Sequence, residues 1–131
     1  MDRRHFLFGL LASTALAPLA AYAASDLKVI YIGGWDCPPC NAWKKNRKQG
    51  WLDSAEFKQV TWIEVEAPNL KRAYEDTYWP AQLRSIRDQL PKKSGTPRFV
   101  VVKDGKVVAN HFGGTTWDNA LADIKKALAK A

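Results

Sequence analysis

The sequence predicts an α/β protein built on a four-stranded mixed sheet with helices on its faces, in the order β-α-β-α-β-β-α. Two observations carry this prediction. Short runs rich in β-branched residues alternate with polar, helix-compatible stretches over much of the chain, which is typical of parallel strands joined by helical crossovers. Further on, an Asp-Gly pair stands between two apolar runs, the strongest short signal for an antiparallel hairpin.

The first half of the domain supplies two strands and the helix between them. Residues 27–32 are rich in β-branched side chains and are followed by Gly33, so they are expected to form the first strand. Residues 41–49 are polar and helix-compatible up to Gly50. Residues 60–65 are expected to form a second buried strand. Because a helix lies in the connection, the two strands are predicted to run parallel with a right-handed crossover.

The second half supplies a helical segment, the hairpin and a last helix. Residues 70–90 are charged, carry apolar side chains at intervals of three and four, and are interrupted by a Trp-Pro pair, which predicts a divided helical segment. Residues 98–102 and 107–112 are the predicted hairpin strands. Residues 117–130 have one apolar face and are predicted to form the last helix, capped by Thr116 or the threonine before it.

Residues 1–24 have the features of an export signal: arginines at positions 3 and 4, an apolar middle and a small-x-small pattern that predicts cleavage after Ala23 or Ala24. The arginine pair resembles a twin-arginine signal, and the general secretory route is the alternative. An uncleaved anchor is less favoured, because the apolar stretch is short and dilute. Residues 25–131 are then expected to form a single domain located in the periplasm.

The chain is basic, with 20 lysines and arginines against 13 acidic residues and a net charge of +7. The charges are scattered, which is typical of a soluble basic protein; attraction to an anionic membrane surface or an acidic partner is the alternative. No nucleic-acid-binding fingerprint accompanies the charge, so nucleic acid is not expected as a partner. Nothing in the sequence indicates dimerisation, and a monomer is the default expectation.

The only two cysteines, Cys37 and Cys40, form a C-x-x-C motif between the first strand and the first helix. Such a pair can exchange two electrons with the thiols of another protein. In an exported protein disulfides persist, which favours a redox pair over a metal site. No separate cofactor is expected, because the Cys37–Cys40 disulfide is itself the redox group.

The chain resembles the thioredoxin superfamily at four places spread along the domain. These are Cys37-Pro38-Pro39-Cys40 after the first strand, Thr96-Pro97 before the third, the Asp104-Gly105 hairpin, and Gly113 after the fourth. The likeness covers residues 27–130, as a minimal thioredoxin-like fold with a helical insertion at about residues 68–94. It implies a thiol-disulfide oxidoreductase whose partners are protein thiols or disulfides, with a membrane-bound electron donor as a further candidate.

The resemblance also implies roles for single residues. Cys37 is expected at the mouth of the first helix as the exposed nucleophile, with Cys40 as the more buried resolving thiol. The Thr96-Pro97 bond is expected to be cis and to face the cysteines, so that Thr96 pairs with the substrate chain. Trp35 either lines the substrate groove or only covers the loop.

Two acidic residues are candidates for tuning the cysteines. Asp36 directly precedes Cys37, and its charge would disfavour the thiolate and raise the pKa of Cys37. Glu64, on the second strand, falls where the family has a buried lysine. It is either a buried proton shuttle for Cys40 or an exposed strand residue.

The direction of exchange is predicted to be reductive. Nothing strongly stabilises the Cys37 thiolate, and a Pro-Pro dipeptide between the cysteines occurs in membrane-linked or periplasmic reductive members of the family. The alternative is a metal carrier that binds copper or zinc through the two thiolates. Two thiolates need further ligands, and His111, the only histidine after the signal, is expected to face solvent from a strand.

Overall fold

A four-stranded mixed sheet forms the centre of the computed structural model, which describes residues 26–130; the predicted export signal lies outside them. Strand β1 (Leu27–Gly34) pairs in parallel with β2 (Thr61–Ala67) and antiparallel with β3 (Arg98–Lys103). β3 continues through the hairpin into antiparallel β4 (Lys106–Phe112), so the strand order is β2-β1-β3-β4. The predicted fold class is confirmed.

The glycines after the first apolar run belong to β1 rather than ending it. Gly33 and Gly34 pair with the last two residues of β2. A Cβ atom added at Gly33 would lie 2.2 Å from the hydroxyl oxygen of Tyr31, and one at Gly34 would lie 2.6 Å from Cα of Leu70. Glycine is therefore needed here because other groups approach the backbone closely.

The first crossover contains two short helices, α1 (Pro38–Asn46) and α2 (Lys48–Leu52). α1 begins three residues earlier than predicted, because proline suits the first turn of a helix and Cys37 occupies the N-cap position. The predicted interruption at Gly50 is wrong, since the break falls at Arg47 and Gly50 lies inside α2.

Residues 68–94, the segment predicted as a helical insertion and named the insertion for that reason, contain three single 3₁₀ turns and one four-residue helix in place of the longer helices predicted. The predicted break at Trp79-Pro80 is confirmed. The indole N–H of Trp79 donates to the carbonyl oxygen of Ala73 at 2.8 Å, an acceptor that a continuous helix would use for a backbone N–H. The turns are Leu70–Arg72, Asp76–Tyr78 and Ala81–Leu83, followed by α3 (Arg84–Arg87).

The Asp-Gly hairpin forms as predicted. Asp104 and Gly105 have φ angles of 50° and 81°, the left-handed conformation that a two-residue hairpin turn requires at both central positions. A 3₁₀ turn (Gly114–Thr116) then leads into α4 (Trp117–Ala129). Thr116 occupies the N-cap position, as predicted, but its hydroxyl donates backwards to the carbonyl oxygen of Gly113 at 2.8 Å and makes no capping bond.

The sheet has a different cover on each face. The insertion covers one face, on which the buried side chains include Ile30, Ile32, Tyr74, Trp79 and Leu83. The helices cover the other, and the cysteines lie there among aromatic rings: Tyr31, Trp43, Trp51, Phe99 and Trp117. Between residues 26 and 130 no helix combines the length and apolar character needed to cross a bilayer.

Candidate redox-active site

The site forms where three strand ends meet at one edge of the sheet. Ile32 of β1 pairs with Arg98 of β3, which pairs in turn with Phe112 of β4. The chain leaving β1 and the chain entering β3 are therefore neighbours. This topology brings the C-x-x-C motif next to Thr96, although 59 residues separate Thr96 from Cys37.

Cys37 and Cys40 are joined by a disulfide at the start of α1. The Cys37 sulfur, at the N-cap, accepts a hydrogen bond from the backbone N–H of Cys40, with an N–S distance of 3.2 Å. The N–H of Asn41 donates to the backbone oxygen of Cys37 at 3.0 Å. One free N–H of the first helical turn thus points at the sulfur, where it would stabilise a thiolate after reduction.

The predicted cis bond between Thr96 and Pro97 is present, and it faces the cysteines. The Thr96 hydroxyl lies 3.3 Å from the Cys37 sulfur and donates to it. The sulfur therefore has two donors, one from α1 and one from the loop before β3. Both would favour negative charge on Cys37 in the reduced protein.

The prediction that Cys37 is exposed is wrong for this disulfide-bonded structure. Cys37 is 1% exposed and Cys40 is fully buried. The Cys37 sulfur is bonded to that of Cys40 and is in contact with the Thr96 hydroxyl at 3.3 Å. Cys37 nevertheless lies directly under the surface, since Asp36 and Pro38 on either side of it are exposed. A partner can reach the sulfur only if this cover moves.

Trp35 and Asp36 form the surface beside the disulfide. Trp35 is 64% exposed, the most exposed large apolar side chain of the described residues. The exposed Asp36 carboxylate accepts a hydrogen bond from the backbone N–H of Leu70 at 2.8 Å. Asp36 thus attaches the C-x-x-C loop to the insertion, a role that the sequence did not predict.

Glu64 is the exposed strand residue of the two alternatives, and the buried proton shuttle is wrong. Its carboxylate accepts hydrogen bonds from Lys48 at 3.1 Å and from the Trp62 indole at 2.9 Å. Partial burial alone would raise the pKa of Glu64, but these bonds outweigh burial and hold the pKa below its ordinary value. Glu64 is therefore ionised and engaged away from Cys40.

The partly buried acid near the cysteine cluster is Glu66, which the sequence analysis missed. The hydroxyl of Tyr31 donates to Glu66 at 3.3 Å, and Lys44 of α1 forms an ion pair with the same carboxylate. Burial, and then the charge of Glu66, raise the pKa of Tyr31 far above its ordinary value. Strand alternation was the available signal, since Glu66 lies two residues after Glu64 on the same face.

The described residues offer no cluster of three or more histidine, cysteine or acidic side chains that could hold a metal ion. His111 contacts the carboxylate of Asp123 on α4, with its Nε2 2.5 Å from the carboxylate oxygen. The two cysteine sulfurs thus have no further ligand nearby for copper or zinc within residues 26–130.

The described chain has a thioredoxin-like fold. It is similar to the reduced periplasmic thioredoxin SoxS from Paracoccus pantotrophus, with 15% identity, a TM-score of 0.56, and coverage of 78% of this chain and 99% of that one. Thioredoxin f from spinach chloroplast (short form) gives 18% identity, a TM-score of 0.53, and coverage of 85% and 84%. A complex of thioredoxin f2 with ferredoxin:thioredoxin reductase gives 20% identity and a TM-score of 0.53, over 84% of both chains. No protein-family model and no curated protein matches the sequence.

Proposed function

We propose that this protein is a thiol-disulfide oxidoreductase that exchanges disulfides with other proteins. The observation that carries the proposal is the Cys37 sulfur at a helix N-terminus, disulfide-bonded to Cys40 and in contact with the Thr96 hydroxyl. The thioredoxin-like fold supports the same chemistry. A purely structural disulfide is disfavoured, because a loop of two residues gives little entropic stabilisation.

In the reductive direction, the Cys37 thiolate attacks one sulfur of a substrate disulfide. The substrate S–S bond breaks, one substrate sulfur leaves as a thiolate, and a mixed disulfide with Cys37 forms. The Cys40 thiolate then attacks the Cys37 sulfur, releases the second substrate thiolate and forms the Cys37–Cys40 disulfide. The substrate gains two electrons and the protein loses two; the reverse sequence donates a disulfide.

Trp35, Thr96 and Pro97 are the residues proposed to bind the substrate chain. The exposed Trp35 indole offers an apolar contact next to the disulfide, and Thr96 is already in contact with the reacting sulfur. Asp36 is proposed to limit stabilisation of the thiolate through its charge. Glu64 is not part of this machinery.

We further propose that exchange is reductive, in the periplasm, after export of the chain by its N-terminal signal. The absence of a cation in contact with the Cys37 sulfur, among residues 26–130, supports a moderate rather than extreme preference for the thiolate. A similar fold is described for a periplasmic thioredoxin. A dedicated reductase is a candidate electron donor, because thioredoxin f2 is found in complex with one; for a periplasmic protein, this donor would be membrane-bound.

The test uses the mature protein and insulin disulfide reduction with dithiothreitol. Wild type should accelerate reduction, whereas Cys37→Ser should not; equal activity in the two would overturn the assignment. Equilibrium against glutathione then gives the direction, with a potential near about −270 mV for a reductase and about −120 mV for an oxidase. Copper or zinc retained stoichiometrically by the purified protein would favour the carrier function instead.

A further inference from the structure

Arg98, the first residue of β3, is buried without an acidic partner. It is 1% exposed and is the only charged residue in the buried core of residues 26–130. Its Nε donates to the side-chain oxygen of Asn110 at 2.7 Å, and its Nη1 donates to the Tyr74 hydroxyl at 3.2 Å. The rings of Tyr74 and Phe112 lie 5.7 and 5.6 Å from the guanidinium carbon. Burying a charge is costly unless every donor is used, so a specific function for Arg98 is expected.

The remaining acceptors of Arg98 belong to the loop that precedes the site. Nη1, whose two hydrogens are shared among three acceptors, also donates to the backbone oxygen of Lys92 and to that of Ser94, the latter at 3.3 Å. The Tyr74 hydroxyl, itself bonded to Arg98, donates to the backbone oxygen of Gly95 at 2.6 Å. Three backbone carbonyls of residues 92–95 are therefore held by one arginine and one tyrosine.

Thr96 follows these carbonyls directly and donates to the Cys37 sulfur. Arg98 itself lies on the insertion side of the sheet, since Phe99, the next residue, packs in the cluster with the cysteines. The guanidinium can therefore reach Cys37 only through the loop. The loop, in turn, supplies the hydroxyl in contact with the sulfur of Cys37, a residue that is 1% exposed.

We propose that Arg98 is a positioning residue that holds residues 92–96 closed over the disulfide and thereby sets how easily an incoming thiol reaches Cys37. This inference rests on the proposed function, in that Cys37 is the sulfur attacked. Loosening the loop uncovers the sulfur, so reduction of the protein's own disulfide becomes faster. The same loosening disorders Thr96, where a substrate chain would bind, so turnover with a protein substrate becomes slower.

The accessibility of the Cys37 sulfur is measured by the rate at which dithiothreitol reduces the Cys37–Cys40 disulfide. A reagent thiolate attacks the Cys37 sulfur, the bond to Cys40 breaks, and Cys40 leaves as a thiolate. The second reagent thiol, deprotonated, attacks the reagent sulfur of the mixed disulfide and releases Cys37 as a thiolate. The reagent is oxidised to its cyclic disulfide by two electrons, and the protein is reduced by two. Acid quenching, alkylation and mass analysis count the reduced molecules at each time.

Three variants of the mature protein define the test. Arg98→Met removes every donor at similar volume, Tyr74→Phe removes only the hydroxyl and keeps the ring, and Arg84→Met is the matched control. Arg84 also donates to backbone carbonyls of the insertion, those of Trp79 and Asp76, both at 3.1 Å, but within the described chain it makes no hydrogen bond to residues 92–96.

The rate constant for reduction should rise about tenfold in Arg98→Met, which removes the bonds of a charged donor, and about fivefold in Tyr74→Phe, which removes one neutral hydroxyl. Arg84→Met should stay at the wild-type rate. KM for insulin should rise in the first two variants more than kcat falls. A fourth variant, Arg98→Lys, keeps the charge but lacks the fork of donors, and should restore only part of the wild-type rate.

A merely structural Arg98 would lower the melting temperature and leave the reduction rate of the folded protein at the wild-type value, which would overturn the inference. So would an equal rise in Arg84→Met. If Arg98→Met does not fold, the rate in Tyr74→Phe decides. The dithiothreitol assay needs only the protein's own disulfide, so it stays valid if insulin is not a substrate. Failure of the proposed function can therefore be distinguished from failure of the proposed role of Arg98.

Discussion

The hydroxyl of Tyr31 and the carboxylate of Glu66 meet across the parallel pair β1–β2 with an O–O distance of 3.3 Å. Lys44 completes the group from α1 by pairing with the same carboxylate. This polar group is attached to the aromatic cluster around the cysteines through Tyr31, whose ring stacks on Trp43 with centroids 5.1 Å apart. Disrupting this polar group should therefore destabilise the aromatic cluster that contains the disulfide.

Replacing Glu66 by glutamine should lower the free energy of unfolding by about 1–2 kcal/mol, because Lys44 loses a charged partner in a partly buried position. Chemical denaturation at neutral pH measures the change. Glu64→Gln is the matched control on the same strand face, and it should cost less than about 1 kcal/mol because Glu64 is exposed. Equal costs in the two variants would contradict the different roles assigned to these acids.

Tyr31 should make the protein sensitive to alkaline pH. Its pKa in the folded protein is raised above the ordinary value of 10.0, so the neutral phenol is favoured by folding. The contribution of Tyr31 to the free energy of unfolding is present below pH 10. It is lost as the pH rises above 10, because Tyr31 of the unfolded chain ionises first. Tyr31→Phe should lose less stability than wild type between about pH 10 and 11.5. If wild type and Tyr31→Phe lose stability in parallel, other groups cause the alkaline loss. Tyr78→Phe serves as the control.

Glu64 should contribute in the opposite pH range. Its pKa in the folded protein is held below the ordinary value of 4.5, so the ionised form is favoured by folding. The contribution is present above that value and is lost as the pH falls through the lower pKa of the folded protein. The stability difference between wild type and Glu64→Gln, under about 1 kcal/mol at pH 7, should therefore vanish in acid. A difference that persists at pH 2 would refute this origin.

Gly33→Ala should destabilise the protein by about 1–3 kcal/mol, since the new methyl group would displace the Tyr31 hydroxyl from a position only 2.2 Å away. Gly50→Ala is the matched control. No atom lies within 4 Å of a Cβ added at Gly50, which is inside α2, so this change should be neutral or stabilising by up to about 1 kcal/mol. Thermal unfolding of the two variants distinguishes close approach from helix propensity.

Asp36→Asn should speed alkylation of the reduced protein at neutral pH by about two- to fivefold, because Coulomb repulsion of the Cys37 thiolate by a partly solvated carboxylate is worth about 1 kcal/mol. The asparagine side-chain oxygen can still accept from the N–H of Leu70, so the loop should stay in place. Asp36→Ala removes the charge and the bond together. If only the alanine variant reacts faster, Asp36 acts by attachment and not by charge.

The sequence was sufficient for the strands, their order along the chain and the position of the disulfide, because these depend on local patterns. It could not decide which acid interacts with the cysteine cluster. Glu64 and Glu66 share one strand face, and only the position of Lys44 on α1 separates them. The sequence also could not predict the burial of Cys37, since the hydroxyl in contact with its sulfur comes from Thr96, which the pairing of β1 with β3 brings near. Nothing in the sequence marks Arg98 as buried, because its burial depends on acceptors contributed by the insertion.

The insertion is bonded to both sides of the disulfide, at Asp36 through Leu70 and at Gly95 through Tyr74. Most of it nevertheless lies on the sheet face opposite the cysteines. We expect changes confined to that layer to alter how fast a partner reaches Cys37, while every residue of the C-x-x-C motif is kept. Under the proposed function, exchanging residues 68–94 alone with those of a related protein should change substrate preference and leave the exchange chemistry unchanged.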